Sequence, residues 1–397
     1  MTLLAGARPG FMGLAALGLL SIACAQAPEP PPPPVSPPAE RDDGWPVASL
    51  GEAGFDEAAM AALTDSIRTG ALSNTHALVI EHRGRLVYEA YFKGEDERWG
   101  RPLGTVRFDQ DTLHDLRSVT KSVTSALLGI ALADNIDESL KRPLIVTFDD
   151  LKETFDDGAA QVTLYHTLTM TAGLEWNEMS VPYTDPSNDE IRMVYAEDPV
   201  AMVLARPLRD PPGSAWYYNG GLTQVLAGVI ERQTGQPIDA FAEDALFAPL
   251  GITDYEWLGS PLWAEGSSPS AASGLRLRAR DLAKIGSVML HDGVWQGRQV
   301  IPARWVALST ERHVAEIPWS PSGVYGYGFM WYPGRSKDER ATRIVRAAGN
   351  GGQRLYILPD EGIVITLFAD LYNQRSDWIG ERILGEVLAA YRPASER

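Results

Sequence analysis

Apolar residues follow two rhythms along this chain, and the rhythms alternate. Residues 55–67 repeat at helical spacing. Residues 77–80 and 86–88 are short β-rich runs on either side of His82-Arg83-Gly84, which predicts a hairpin. Residues 93–117 are polar and read as irregular. A helical middle follows. Val119, Val123, Leu127, Leu128, Ile130 and Leu132 outline a buried helix opening near Ser118. Residues 162–170 form a short apolar segment, and 222–233 an amphipathic helix stopped by Gly235. Residues 281–290 and 302–309 read as two more helices. Beyond 325 the β rhythm returns at 327–332, 344–345, 355–358 and 363–368, and 378–391 closes as a helix. Strands at both ends with helices between them predict an α/β fold. One sheet is built from the two chain ends and covered by terminal helices, with a mainly helical lobe inserted. A cleft between two such lobes is a natural ligand site.

The first 45 residues obey neither rhythm. Arg8 is the only charge ahead of an apolar run at 11–23, so residues 1–23 read as an export signal. Small residues offer cleavage sites at Ala23-Cys24-Ala25 and Ala25-Gln26-Ala27. Ser21-Ile22-Ala23-Cys24 resembles a bacterial lipoprotein signal, and the position of Cys24, the only cysteine, favours that reading. Residues 24–45 read as a Pro-rich disordered linker, with 28–41 extended and unable to bury a core. The folded domain is expected over 46–392. The expectation is an exported bacterial protein, periplasmic or tethered to a membrane through lipidated Cys24.

Composition narrows the chemistry. The net charge of −17 disfavours nucleic-acid partners. A single cysteine excludes an internal disulfide and argues against a cysteine-based metal cluster. No His-Glu-x-x-His, Gly-x-Ser-x-Gly, P-loop or dinucleotide fingerprint is present. His114 and His166 read as structural. Glu175 and Glu178 either line a cleft or sit on a solvated loop. Trp176 or Trp331 could wall an apolar acyl pocket.

The remaining candidate is Ser118-x-x-Lys121. The spacing puts both side chains on one helix face, about one turn apart. A serine in the first turn lies among unpaired N–H groups at the positive end of the helix dipole. A lysine one turn on can take its proton. Alone, the pattern is most often that of an N-cap serine.

The order of motifs adds a resemblance. Ser118-x-x-Lys121, the segment Pro212-Gly213-Ser214-Ala215-Trp216-Tyr217-Tyr218-Asn219-Gly220-Gly221, and Gly349-Asn350-Gly351-Gly352-Gln353 together resemble the serine β-lactamase and penicillin-recognising superfamily. The class C-like esterases and aminohexanoate-oligomer hydrolases are its nearest group. The resemblance implies a β-lactamase-like fold with an antiparallel sheet. It also implies a Ser-Lys-Tyr acyl-enzyme mechanism, with no metal and no organic cofactor. Tyr218 is the implied tyrosine. Tyr217, which gives a literal Tyr-x-Asn with Asn219, is the alternative. The second residue after Tyr218 is Gly220, where the family often carries Asn or Ser. The implied oxyanion donors are the N–H groups of Ser118 and Gln353, with Asn350, Gly351, Gly352 and Asn219 near the substrate. Tyr218 is expected to act with Lys121 as a phenolate or as a shared-proton partner, since cations beside a tyrosine ease its ionisation. Neutral Asn350 stands where β-lactamases and DD-peptidases carry a cation, so neutral esters or small amides are the expected substrates. Arg346 or Arg354 could restore positive charge. The alternatives are a β-lactamase or DD-peptidase, and a non-catalytic surface binding protein on the same fold.

Overall fold

Three apolar runs lack any polar alternation, so both faces of those strands must be covered. In the computed structural model they are central strands. The structure describes residues 35–393 except 73, 156–157, 261, 263–265, 321–323 and 375–377. The proposed signal, Cys24 and the first half of the Pro-rich linker lie outside the described residues. The strands of the main sheet are β1 (Thr75–His82), β2 (Arg85–Tyr91), β3 (Tyr332–Arg335), β4 (Arg343–Gly349), β5 (Gln353–Leu358) and β6 (Ile363–Ala369). Their order is β3-β4-β5-β6-β1-β2, every neighbour antiparallel. The two chain ends meet at β1 and β6, where Ile80 faces Ile365.

Side-chain alternation along β1 assigns the covering helices. His82 points to Phe55 and Tyr391, beside α1 (Glu57–Arg68) and α5 (Trp378–Ala390), which pack on each other. Its neighbour Glu81 points the opposite way, to Ser287 on α4 (Ala279–Leu290). α4 lies close on the sheet because Gly286 has no side chain: a Cβ there would sit 2.6 Å from Val364 and 2.8 Å from Leu355. The inserted region wraps α2 (Val119–Ala131), which is buried from Val119 to Gly129 and packs on α3 (Gly220–Thr234).

Two expectations fail here. Residues 93–107 are a β-hairpin, Lys93–Arg98 paired with Arg101–Arg107, despite their charge. Trp99 and Gly100 at its tip both have positive φ (51° and 77°), as a two-residue hairpin turn demands. Conversely, 327–331 is not strand. Met330 has φ 63° and its carbonyl accepts the Ser122 hydroxyl at 2.6 Å, so extended structure begins only at Tyr332.

Glu81 makes the sheet pH-sensitive. It is fully buried, and burial pushes its pKa from 4.5 up to about 7 against hydrogen bonds from the Gly84 N–H and Ser287. The folded state therefore holds this proton more tightly than the unfolded chain. The resulting stability is present below the unfolded pKa and is lost as pH rises through 7. Glu81→Gln is expected to stabilise the protein by up to about 3 kcal/mol at pH 8 and by under about 1 kcal/mol at pH 5, read from denaturant midpoints. An equal gain at both pH values would assign the effect to packing instead.

Candidate active site

The chain turns sharply into α2. Arg117 has φ 50°, and its guanidinium is held by Glu97 at 2.5 Å and Asp115 at 3.2 Å. The end of β4 packs against this turn: a Cβ on Gly349 would lie 2.3 Å from the Leu116 carbonyl oxygen. Ser118 stands at the N-cap position of α2, yet its hydroxyl caps nothing. Its Oγ instead accepts the Tyr218 hydroxyl at 2.8 Å and Lys121 Nζ at 3.2 Å. Lys121 is buried and also donates to the Ala272 carbonyl at 2.8 Å, which fixes its long side chain. The Ser118 backbone N–H has no backbone acceptor among the described residues.

Tyr218 and Tyr217 separate cleanly. Tyr218 reaches the serine, while Tyr217 lies under the Arg209 guanidinium, 4.5 Å from ring centre to carbon. Asn219 caps α3, its Oδ1 accepting the Leu222 N–H at 3.2 Å. That side-chain oxygen is therefore committed to the helix.

Two carboxylates lie beneath this triad. Glu178 is buried, and it accepts the Gly220 N–H at 2.7 Å, the Trp176 indole N–H at 2.8 Å and the Tyr183 hydroxyl at 2.9 Å. A Cβ on Gly220 would come within 2.8 Å of Glu178, so the carboxylate fills the space a side chain at 220 would need. Glu190 accepts the Ser273 hydroxyl at 2.6 Å. Burial, then the neighbouring Glu190, raises Glu178 above the ordinary carboxyl range. Burial also acts on Glu190, but Lys121 and the hydrogen bonds from Glu178 and Ser273 outweigh it and hold Glu190 low. The pair thus shares one proton, carried by Glu178. Tyr218 is raised well above the usual phenol range by burial and then by Glu178. This direction runs against the expectation of an easily ionised tyrosine.

The serine opens onto a cleft of about 970 Å³. Tyr218, Trp319, Tyr332, Arg346 and the Gly349–Gly352 turn line it. Trp319 packs edge-on against Trp216 and Tyr218, making an apolar wall. Trp176 and Trp331 do not line the cleft and belong to the core. Gln353 is also absent from the cleft. It is fully buried at the start of β5, opposite Gly349, and its side chain pairs with both backbone groups of Ala369, at 2.8 and 3.1 Å. Asn350 borders the cleft in its place, and its backbone N–H has no backbone acceptor among the described residues. Its side chain is tied to Asn373 by two bonds of 3.0 and 2.8 Å. Arg346 lies over the Tyr325 ring at 4.0 Å and pairs with Glu381 at 3.3 Å, while Arg354 donates to the Gly349 carbonyl at 2.8 Å. Both cations are thereby engaged. The one group of His, Asp and Glu among the described residues able to converge on an ion, His76–Asp96–His114, lies outside the cleft.

A family model described as Beta-lactamase matches residues 65–382. The chain belongs to this family. Within the Beta-lactamase family it is 32% identical over 221 residues to esterase EstB of Burkholderia gladioli, covering 52% of this chain and 54% of that protein. It is 27% identical over 282 residues to the 6-aminohexanoate-dimer hydrolase of Paenarthrobacter ureafaciens, covering 65% and 66%. The matched segments thus span about half to two thirds of these relatives. Among solved structures, a β-lactamase/D-alanine carboxypeptidase from Pseudomonas syringae superposes with TM-score 0.60 at 17% identity, over 84% of this chain and all of the other, which confirms the fold.

Proposed function

We propose that this protein hydrolyses neutral esters or small amides through an acyl-enzyme on Ser118. The observation that carries the reading is the Ser118 Oγ, released from capping and held between Tyr218 and Lys121 at 2.8 and 3.2 Å. Lys121 takes the serine proton while Oγ attacks the carbonyl carbon. The N–H groups of Ser118 and Asn350 receive the oxyanion, each worth about 3 kcal/mol in such a site. Tyr218, a neutral phenol, gives its proton to the leaving oxygen or nitrogen and regains one from Lys121. Water then enters, and the same groups run in reverse to release the acid. The Trp319 wall suits an apolar acyl group. The engagement of Arg346 with Glu381 disfavours substrates that need a free cation.

The test is intact mass after reaction with a fluorophosphonate and, separately, with a penicillin, alongside hydrolysis of p-nitrophenyl esters and a chromogenic cephalosporin. The expected result is one fluorophosphonate adduct, lost in Ser118→Ala, with kcat/KM for the ester at least about 100-fold above the cephalosporin, near 3 kcal/mol of discrimination. A lasting penicillin adduct or fast cephalosporin turnover would move the assignment to a peptidase or β-lactamase. Folded protein that forms no adduct and hydrolyses nothing would leave a binding protein.

A further inference from the structure

Behind the hairpin and the Ser118 turn lies a cluster that the proposed reaction does not use. His76 on β1, Asp96 on the hairpin and His114 just ahead of the Ser118 turn are all buried. His76 Nδ1 and His114 Nε2 are 2.9 Å apart, and Asp96 Oδ1 lies 3.6 Å from His114 Nε2. The outer partners decide where the protons are. His114 Nδ1 is 3.0 Å from the Asp115 carbonyl oxygen. A carbonyl only accepts, so Nδ1 carries the hydrogen and Nε2 presents a lone pair inward. On the far side of His76, Nε2 faces the Asp370 carboxylate at 3.7 Å, which favours the hydrogen on Nε2 and a lone pair on Nδ1. Asp96 Oδ1 is held from outside by the Tyr372 hydroxyl at 3.0 Å. With His76 in that tautomer, two ring nitrogens and a carboxylate oxygen converge with no donor between them; a hydrogen on His76 Nδ1 would instead make the 2.9 Å contact a His–His hydrogen bond. Asp96 Oδ2 and His76 Nε2 are buried without a hydrogen-bond partner.

We propose that His76 Nδ1, His114 Nε2 and Asp96 bind a divalent transition-metal ion, zinc by preference. Tetrahedral zinc with ligand bonds of about 2.0–2.1 Å spaces its ligand atoms roughly 3.3 Å apart. The observed 2.9 and 3.6 Å bracket that value. The Asp115 carbonyl on the outer nitrogen of His114 is the arrangement that orients imidazole toward a metal, and the Asp370 carboxylate faces the outer nitrogen of His76 at 3.7 Å, beyond hydrogen-bond distance. Two nitrogens and one oxygen suit zinc better than magnesium or calcium, which favour oxygen alone.

The ion would brace both oxyanion donors. His114 leads through Asp115 to Arg117, the residue before Ser118, and Asp115 is itself pinned by Arg276 at 3.0 Å. Asp96 leads through Tyr372 to the Gly-rich turn, where a Cβ on Gly351 would lie 2.6 Å from the Tyr372 ring. The site is structural in role, since no ligand lines the cleft.

The test uses the full chain, purified without chelator. Elemental analysis is expected to find about one zinc per chain. Cobalt substitution is expected to give the visible d–d absorption of a tetrahedral site, and dipicolinate to lower Tm by about 5 °C or more, restored by added zinc. His114→Gln should lose the ion and the cobalt band together. His166→Gln, outside the cluster, should keep both. Three results would overturn the proposal. One is substoichiometric metal with no cobalt band and an unmoved Tm. Another is equal zinc content in wild type and His114→Gln. The third is nitrogen NMR of the histidine rings showing His76 protonated at both nitrogens in zinc-treated protein, so that a proton holds the place of the ion.

Discussion

Tyr218→Phe is expected to lower kcat on an alkyl ester about 1,000-fold, with little change in KM or thermal stability. The substitution removes one oxygen, the one 2.8 Å from Ser118 Oγ. The ring keeps its packing against Trp216 and Trp319. Burial and Glu178 push the phenol pKa up, so on the proposed mechanism the lost function is proton donation to the departing group. An alkoxide cannot leave easily without that proton, whereas p-nitrophenolate can. The loss should therefore shrink to about 10-fold on a p-nitrophenyl ester of the same acid. Equal losses on both esters would remove Tyr218 from the leaving-group step.

Glu178→Ala is expected to cost about 4 kcal/mol of folding stability. The carboxylate accepts two buried donors, from Gly220 and Trp176, and the half-buried Tyr183 hydroxyl. Orphaning a buried donor costs about 1–3 kcal/mol each, partly relieved by local relaxation. Glu178→Gln keeps the volume and one acceptor oxygen, and it mimics the protonated acid that burial and Glu190 favour. It is expected to cost no more than about 1.5 kcal/mol. Urea midpoints at constant m would read the difference. A loss below about 1 kcal/mol in the alanine variant would mean that other groups satisfy those donors.

The parts of this molecule that sequence made legible are those with one dominant period. α2 shows itself because Val119, Val123 and Leu127 are buried at helical spacing, and β6 because every residue is buried. Tyr218 came from the order of motifs, which fixes chain position but not direction. Gln353 shows that limit. Choosing which N–H faces the cleft requires the register Gly349↔Gln353, and a Gly-rich turn leaves that register open until both strands are paired. Glu178, read as cleft wall or solvated loop, lies at the cleft and is buried, while Glu190 was obscured for another reason. They sit among Asp185 and Asp189 in an acid-rich stretch that reads as solvated surface, and their burial depends on donors that include the distant Gly220 N–H and Ser273 hydroxyl. The neighbouring Trp176 was the available signal, since its indole N–H needs a buried acceptor. The 93–107 hairpin escaped because a strand with one exposed face tolerates charge at most positions.

The meeting of β1 with β6 has a consequence on the ribosome. Roughly 280 residues separate the two strands, so at about 5–20 residues per second β1 waits some 15–60 s for its partner. Until then it has only β2, and a two-stranded ribbon is marginal in water. The apolar edge of residues 77–80 is exposed throughout synthesis, ready to pair with another nascent chain. Premature termination anywhere before Ile363 leaves that edge open, so truncated products should be aggregates and proteolytic debris rather than smaller folded proteins.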